Sequence, residues 1–281
     1  MVSILRLEEV DSTNTYVAKN VAELESATIV TTDNQTAGRG QRGNSWESEP
    51  GMNLTFTMLM RPEKFAAIRQ FSLSEAVAVA IVDVIGEELE IFTEIKWPND
   101  IYWRDNKLAG ILIEHAVMGS EIMHTIIGVG LNVNQTKFLS DAPNPISLRQ
   151  ILINRGEKGD TIIDRDILLE KIGTRIKENI LRLTDKKELE RMHDKYMRRL
   201  WRNNNQVYKF RDVESGRIYP GIVGEIEPTG HLCIYEPKAG NIAKNGVAND
   251  DTGSNVATSN KMTDDDCICH RYAFKEVEWI I

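Results

Sequence analysis

GRGQRGNSW at residues 38–46 and KWPND at residues 96–100 are two stretches that combine charged residues and a tryptophan with glycine or proline. In the first, the glycines let backbone N–H groups approach an anion and adopt positive φ. Arg39 and Arg42 add charge and paired donors for phosphate or carboxylate, and Trp46 offers a face for a flat ring. The same letters also fit a surface turn with solvated arginines, and the P-loop spacing is absent. The stretch is therefore a candidate anion-binding loop.

KWPND lies where a predicted strand ends, and Pro98 favours an extended turn. Lys96, Asn99 and Asp100 are therefore expected at one strand edge. The Asp100 carboxylate can hold Mg²⁺ together with phosphate oxygens, or take a proton. Alternatively, it only caps the turn.

Two further stretches carry residues that are unusual for strands. KLAGI at 107–111 opens a strand with a lysine, which is a solvated edge charge in most proteins. GVGLNVN at 128–134 has glycines inside a β-branched strand, which indicates close approach of a backbone or a ligand. A bulge in a core strand explains the same glycines.

Hydrophobic patterning predicts a larger α+β domain at 1–204 and a small β-barrel domain at 205–281. Strands of the first are predicted at 4–7, 27–32, 52–60, 91–96, 101–103, 108–117 and 121–133, and short turns between them favour a mixed or antiparallel sheet. A helix is predicted to follow the N-cap-rich segment 11–14 and to run to about Glu25, and further helices are predicted at 65–89, 146–153, 164–183 and 187–200. The barrel strands are predicted at 207–211, 217–225, 231–236 and 268–281. A polar insert at 241–266 is predicted to be a flexible loop.

The formal charge of −8 argues against non-specific binding of nucleic acid, whose phosphates need a basic face. The apolar stretch 71–89 contains four carboxylates, so it predicts a buried amphipathic helix rather than a membrane span. The N-terminus has no signal-peptide pattern, and three cysteines fit a reducing cytoplasm. These features predict a cytoplasmic protein that binds neither nucleic acid nor membrane.

The cysteines and two histidines raise a second hypothesis, a zinc site. Ligand-type residues alternate on two predicted strands, at His231, Cys233, Cys267, Cys269 and His270. Zinc needs about four ligands in tetrahedral reach. The CxxC spacing is missing, so ordinary strand residues explain the pattern as well.

The four stretches, in this order, resemble the biotin–protein ligases. Members of that family carry a GRGRxGxxW loop, a KWPND segment, a K-L-(A/G)-G-I strand start and a G-(I/V)-G-x-N strand. Asp11-Ser12-Thr13-Asn14 and Gln35 also fall where the family places biotin contacts. The resemblance covers residues 3–135 strongly and the β-rich tail more loosely. It implies an α+β fold with a class II synthetase-like mixed sheet flanked by helices, and a small C-terminal SH3-like β-barrel.

The resemblance also implies roles for particular residues. Arg39, Lys107 and Asp100 would be catalytic, with Asp100 also a magnesium ligand. Biotin would be bound by Ser12, Thr13, Asn14, Gln35, Arg39, Gly40, Gln41 and Lys107. ATP would be bound by Gly38, Arg42, Gly43, Trp46, Asn99 and Asn132. Biotin and ATP would form biotinyl-5′-adenylate, and a lysine of a biotin carboxyl carrier protein would then take the biotin.

Two departures from the family pattern matter. The second arginine of the family loop is Gln41 here, which loses a charge and is expected to hold the adenylate less tightly. The resemblance begins at residue 3, so we expect the short type without an N-terminal helix-turn-helix. A lipoate or octanoate ligase or transferase, and a non-catalytic biotin or nucleotide sensor, remain alternatives. The protein is expected to be a monomer or a homodimer, in which strands near 121–133 could pair.

Overall fold

The computed structural model describes residues 2–139, 144–157, 161–238 and 267–280. The chain divides into two compact units, Met1–Trp201 and Arg202–Ile281. The predicted domain boundary lies three residues further along, between residues 204 and 205, and stays a prediction. The predicted flexible insert at 241–266 lies outside the described residues.

A seven-stranded mixed sheet forms the centre of the first unit, in the order β1-β2-β3-β7-β6-β5-β4. β1 and β2 are parallel, and the other neighbours are antiparallel. Its strands are β1 (Ser3–Val10), β2 (Thr28–Gln35), β3 (Leu54–Met60), β4 (Glu94–Lys96), β5 (Asp100–Trp103), β6 (Asn106–Met118) and β7 (Glu121–Leu131). The predicted mixed sheet is confirmed.

Five helices accompany this sheet: α1 (Thr13–Lys19), α2 (Gln70–Leu89), α3 (Leu148–Asn154), α4 (Arg165–Arg182) and α5 (Lys186–Arg198). α2 packs on α4 and α5 as well as on the sheet. Its residues from Ala76 to Val82 are all 1% exposed or less, so the helix is buried on nearly every side rather than simply amphipathic. No helix in the described part of the chain is both long and apolar enough to cross a bilayer.

A buried carboxylate joins α2 to α5. Oε1 of Glu75 lies 2.7 Å from Nδ1 of His193. Burial raises the pKa of Glu75, and the contact with His193 acts in the opposite direction. The pair therefore satisfies a polar group that the packing of α2 would otherwise leave in an apolar layer.

α1 begins at a cap and ends earlier than predicted. The Ser12 hydroxyl accepts a hydrogen bond from the backbone N–H of Thr15 at 3.5 Å, as an N-cap residue does. The helix ends at Lys19, where the side-chain amide of the C-cap residue Asn20 donates to the carbonyl of Tyr16 at 2.8 Å. Val17 packs into a core cluster with Val30, Leu59 and Ile126, which fixes α1 on one face of the sheet.

β7 lies inside the sheet, between β3 and β6. The expectation that strands near 121–133 could pair between two copies is therefore wrong, since hydrogen bonds to both neighbours already occupy β7. The sheet edges are β1 and β4 instead. Whether the protein is a monomer or a homodimer stays a prediction.

The second unit is a five-stranded antiparallel sheet in the order β11-β10-β9-β8-β12. Its strands are β8 (Tyr208–Asp212), β9 (Ile218–Ile226), β10 (Leu232–Pro237), β11 (Cys267–Tyr272) and β12 (Val277–Ile280). The segment predicted at 268–281 thus contains two strands. The turn between them has Lys275 at φ +69° and a hydrogen bond from the Ala273 N–H to the Glu276 carboxylate.

The zinc hypothesis finds no support in the second unit. In the β10–β11 register Cys233 lies opposite Arg271 and Cys269 opposite Tyr235, whereas His270 lies opposite Ile234 on the other face of the pair. Nε2 of His270 contacts Glu236 at 2.8 Å. Within the described residues, no group of three or more His, Cys, Asp or Glu side chains is placed to hold a metal.

Candidate active site

Glycines of β6 and β7 form the floor of the candidate site. Gly110 is paired with Gly130, and Leu112 with Gly128. A Cβ atom on Gly130 would lie 2.2 Å from Cε2 of Trp46, and one on Gly128 would lie 2.1 Å from Oδ1 of Asn14. Side chains from elsewhere in the chain therefore rest directly on the strand backbone, so the close approach is made by side chains rather than by the backbone or ligand that the sequence predicted.

The loop at 38–46 folds over this floor as a short hairpin. The Trp46 N–H donates to the carbonyl of Gly38 at 3.0 Å, and Arg39 and Ser45 form an isolated bridge. A single 3-10 turn at Gln41–Gly43 closes the tip, where Gly43 has φ +87°. A Cβ atom on Gly38 would lie 2.5 Å from the Trp46 carbonyl oxygen. The side chain of Arg42 lies outside what the structure describes.

Trp46 lies against the Gly110–Gly130 pair at one end of the loop. Its indole nitrogen is buried and has no hydrogen-bond partner among the described residues. A buried N–H group without a partner is costly. The indole is thus a donor available to a ligand that enters this part of the site.

The residues of the Asp11-Ser12-Thr13-Asn14 segment that resemble biotin contacts are brought together with Gln35. Oε1 of Gln35 accepts from the backbone N–H of Thr13 at 2.9 Å. The Thr57 hydroxyl on β3 donates to Oδ1 of Asn14 at 2.6 Å and lies 2.7 Å from the Thr13 hydroxyl. Ser12, Thr13 and Asn14 are all buried. The start of α1 is therefore a preorganised polar cluster on the sheet.

A residue that the sequence did not single out connects this cluster to the loop. Glu114 on β6 accepts from Nη2 of Arg39 at 2.8 Å with Oε1, and from Nδ2 of Asn14 at 3.0 Å with Oε2. Thr57 was missed in the same way. Their only sequence signal is a polar side chain within a largely apolar strand.

Lys107 and Asp100 form the second polar cluster of the site. Nζ of Lys107 lies 2.8 Å from Oδ1 of Asp100, with side chains 27% and 21% exposed. The same ammonium lies 6.0 Å from the centre of the Trp46 ring. The backbone of Lys107 donates to the carbonyl of Asn144 and accepts from the N–H of Ile146, which fixes the start of β6 against segment 144–146. The lysine is therefore a positioned charge rather than a loose strand-edge residue.

Asn99 and Asn132, which the resemblance assigns to the nucleotide side, make structural contacts, as does Lys96 of the KWPND segment. Nδ2 of Asn99 donates to the carbonyl of Ile111 at 2.6 Å. Nδ2 of Asn132 donates to the carbonyl of Ile146 at 3.1 Å. Lys96 donates to the Tyr102 hydroxyl at 3.0 Å, whereas Asp100 pairs with Lys107.

The donor set does not fit a magnesium ion held by the protein alone. The Asp100 carboxylate is paired with an ammonium group. Among the residues that the structure describes, no three metal-ligating side chains converge. A single carboxylate supplemented by substrate phosphates is an arrangement that Mg²⁺ does use, but the phosphates would supply most of the ligands.

A cleft of about 330 Å³ opens beside the Arg39–Glu114 pair. It lies between α1 and the β6–β7 hairpin, and its lining includes Thr15, Ala18, Lys19, Arg39, Glu114, His115, Ala116, His124 and Ile126. Burial lowers the pKa of His115 and of His124, and nearby Arg61 lowers that of His124 further. The cleft therefore borders the loop at Arg39.

The chain is similar in sequence to a known protein family and to several curated proteins. The model of the family described as "Biotin/lipoate A/B protein ligase family" matches residues 7–132. The "Bifunctional ligase/repressor BirA" of Salmonella typhimurium is 34% identical over 166 residues, which are 59% of this chain and 50% of that protein. The "Biotin--[acetyl-CoA-carboxylase] ligase" of Paracoccus denitrificans is 34% identical over 129 residues, covering 45% of this chain and 53% of that protein. The chain thus spans about half the length of these curated relatives.

Solved structures share the whole fold. The structure described as "Biotin protein ligase from Aquifex aeolicus in complex with biotin and ATP" superposes with a TM-score of 0.71, covering 100% of this chain and 99% of that one. Sequence identity to it is 21%, so this likeness shows the fold alone. The predicted fold class is confirmed.

Proposed function

We propose that this chain, whose residues 7–132 match the model of the biotin/lipoate A/B protein ligase family, is an ATP-dependent biotin–protein ligase. It would form biotinyl-5′-adenylate and pass biotin to a lysine of a biotin carboxyl carrier protein. The observation that carries the proposal is the arrangement on one face of β6 and β7. There, the glycine-rich loop spans from the Arg39–Glu114 pair to Trp46, beside Lys107 and Asp100.

The first step joins two anions. The biotin carboxylate attacks the α-phosphate of ATP, an O–P bond forms, and pyrophosphate leaves with the electron pair of the bond that breaks. Arg39 and Lys107 offset the repulsion between the two anions and stabilise the charge that develops at the phosphate. Both side chains are 46% exposed or less and are already held by carboxylates, so their positions are set before substrates arrive.

The polar cluster at the start of α1 supports the proposed biotin site. A ureido ring needs several donors and acceptors at fixed positions, and the cluster offers hydroxyl and amide groups that are buried and oriented. The proposed biotin contacts are Ser12, Thr13, Asn14, Gln35, Arg39, Gly40, Gln41 and Lys107. The proposed nucleotide contacts are Gly38, Arg42, Gly43, Trp46, Asn99 and Asn132.

The second step transfers biotin to an amine. The lysine of the carrier protein attacks the biotin carbonyl of the mixed anhydride, an amide bond forms, and AMP leaves. Asp100 is the proposed residue that orients this amine or takes its proton. Magnesium enters as part of the MgATP substrate.

Pyrophosphate release tests the proposal against the alternative within the same family. The protein is supplied with MgATP and either biotin, lipoate or octanoate. We expect release with biotin and little with the other two acids. Release with lipoate in place of biotin would assign a lipoate ligase, and binding of biotin without pyrophosphate release would assign a sensor.

A further inference from the structure

Glu114 holds two elements of the candidate site at once. One carboxylate oxygen accepts from the Arg39 guanidinium at 2.8 Å, and the other accepts from the Asn14 amide at 3.0 Å. We propose that Glu114 is a positioning residue that sets the affinity for the substrate acid by fixing Arg39 relative to Asn14. This inference rests on the proposed function.

The contact to Asn14 fixes which way that amide points. Its nitrogen donates to Glu114, and to the carbonyl of Leu112 at 3.4 Å. Its oxygen then faces the Thr57 hydroxyl at 2.6 Å, directly over Gly128. Without the Glu114 carboxylate the Asn14 amide loses its strongest acceptor, so it can adopt either of its two flipped orientations. The arrangement of donors and acceptors that the site offers to the substrate is then no longer fixed.

The contact between Glu114 and Arg39 holds the first arm of the loop, which contains Arg39, over the sheet. It engages Nη2, and a guanidinium carries five N–H donors, so further donors remain for a substrate carboxylate. The two side chains are 46% and 44% exposed. An ion pair this exposed adds little to folding stability. Its effect is therefore expected in ligand binding rather than in unfolding.

Glutamine cannot replace this residue. A carboxylate offers two acceptor oxygens to two donors, whereas a carboxamide offers one acceptor oxygen and one donor nitrogen. With Glu114→Gln, one of the two contacts would set a donor against a donor. Loss of one charge-assisted hydrogen bond corresponds to roughly tenfold in affinity or more.

Calorimetric titration of biotin into the full-length protein without ATP tests the proposal. We expect Glu114→Gln to weaken biotin binding about tenfold with the KM for ATP unchanged, and to lower the melting temperature only slightly, because Asn14 keeps its contacts to Leu112 and Thr57. Glu121→Gln is the matched control, since Glu121 is an exposed carboxylate at the start of β7 in the same hairpin. It is expected to bind biotin like the natural protein.

A double-mutant cycle separates positioning from a general effect. In an Arg39→Ala or an Asn14→Ala background, Glu114→Gln should weaken biotin binding less than in the natural protein, because one of the contacts is already lost. Biotin affinity equal to the Glu121→Gln control, tighter biotin binding, or an undiminished effect in both backgrounds would each overturn the proposal.

If the natural protein makes adenylate while Glu114→Gln binds biotin normally, only this inference fails. If the natural protein neither binds biotin nor makes adenylate, the proposed function fails with it.

Discussion

The ammonium nitrogen of Lys107 lies 2.8 Å from Oδ1 of Asp100, beside the ring of Trp46 and on the same face of the sheet. Each charge of the pair is about three-quarters shielded from solvent. The pair holds a cation where the proposed acyl-adenylate forms, and the carboxylate keeps that cation in place until an anionic substrate arrives.

Removing the cation should slow adenylate formation. We expect Lys107→Ala to reduce the rate of pyrophosphate release about 100-fold or more, because a preorganised charge at the developing phosphate charge is lost. Lys186→Ala is the control, since that lysine is 88% exposed on α5. Unchanged labelling of the carrier protein with Lys107→Ala would remove Lys107 from the chemistry.

Removing the anion should affect transfer more than adenylate formation. For Asp100→Asn we expect single-turnover transfer from preformed biotinyl-5′-adenylate to fall about 100-fold, the usual range for loss of a group that handles a proton. The asparagine keeps the shape of the side chain and can still accept from Lys107. Equal losses in both half-reactions would show that Asp100 acts only through the lysine.

Local patterns in the sequence predicted most of the elements of the fold. Alternation and apolar periodicity depend on neighbouring residues, so β3, β6 and α4 lie close to their predicted positions. The glycines at 128 and 130 predicted close approach, and the structure shows what approaches.

The contacts between distant segments could not be predicted in this way. Glu114 meets Arg39, which is 75 positions away, only because the β6–β7 register places its carboxylate under the loop. Thr57 likewise meets Asn14, which is 43 positions away, only because β3 lies beside the start of α1. Neither leaves a periodic signal in the sequence.

Restoring the charge at position 41 should tighten the loop. We expect Gln41→Arg to slow the dissociation of biotinyl-5′-adenylate, since a cation at the 3-10 turn would attract its phosphate. The measurement is the off-rate of labelled adenylate in a chase experiment. Gln206→Arg, at an exposed position of the second unit, controls for net charge. An off-rate that Gln41→Arg leaves unaltered would contradict this interpretation of the loop.

Adding a methyl group to the floor should displace the indole above it. A Cβ atom at Gly130 would lie 2.2 Å from Trp46, so we expect Gly130→Ala to weaken adenylate binding about tenfold. Gly86→Ala in α2 is the control, because the nearest atom to its Cβ is 3.9 Å away. That change should stabilise the helix by about 0.5–1 kcal/mol. Normal adenylate binding by Gly130→Ala would show that adenylate binding does not require the contact between Trp46 and the backbone of Gly130.

The most direct test of the central claim is biotin transfer to a carrier domain. The protein, MgATP and biotin are incubated with a purified biotin carboxyl carrier domain, and the mass of that domain is measured. We predict a gain of one biotinyl group on its target lysine, dependent on ATP and about 100-fold slower or more with the Lys107→Ala variant. A carrier domain of unchanged mass after many equivalents of active, biotin-bound protein would contradict the claim.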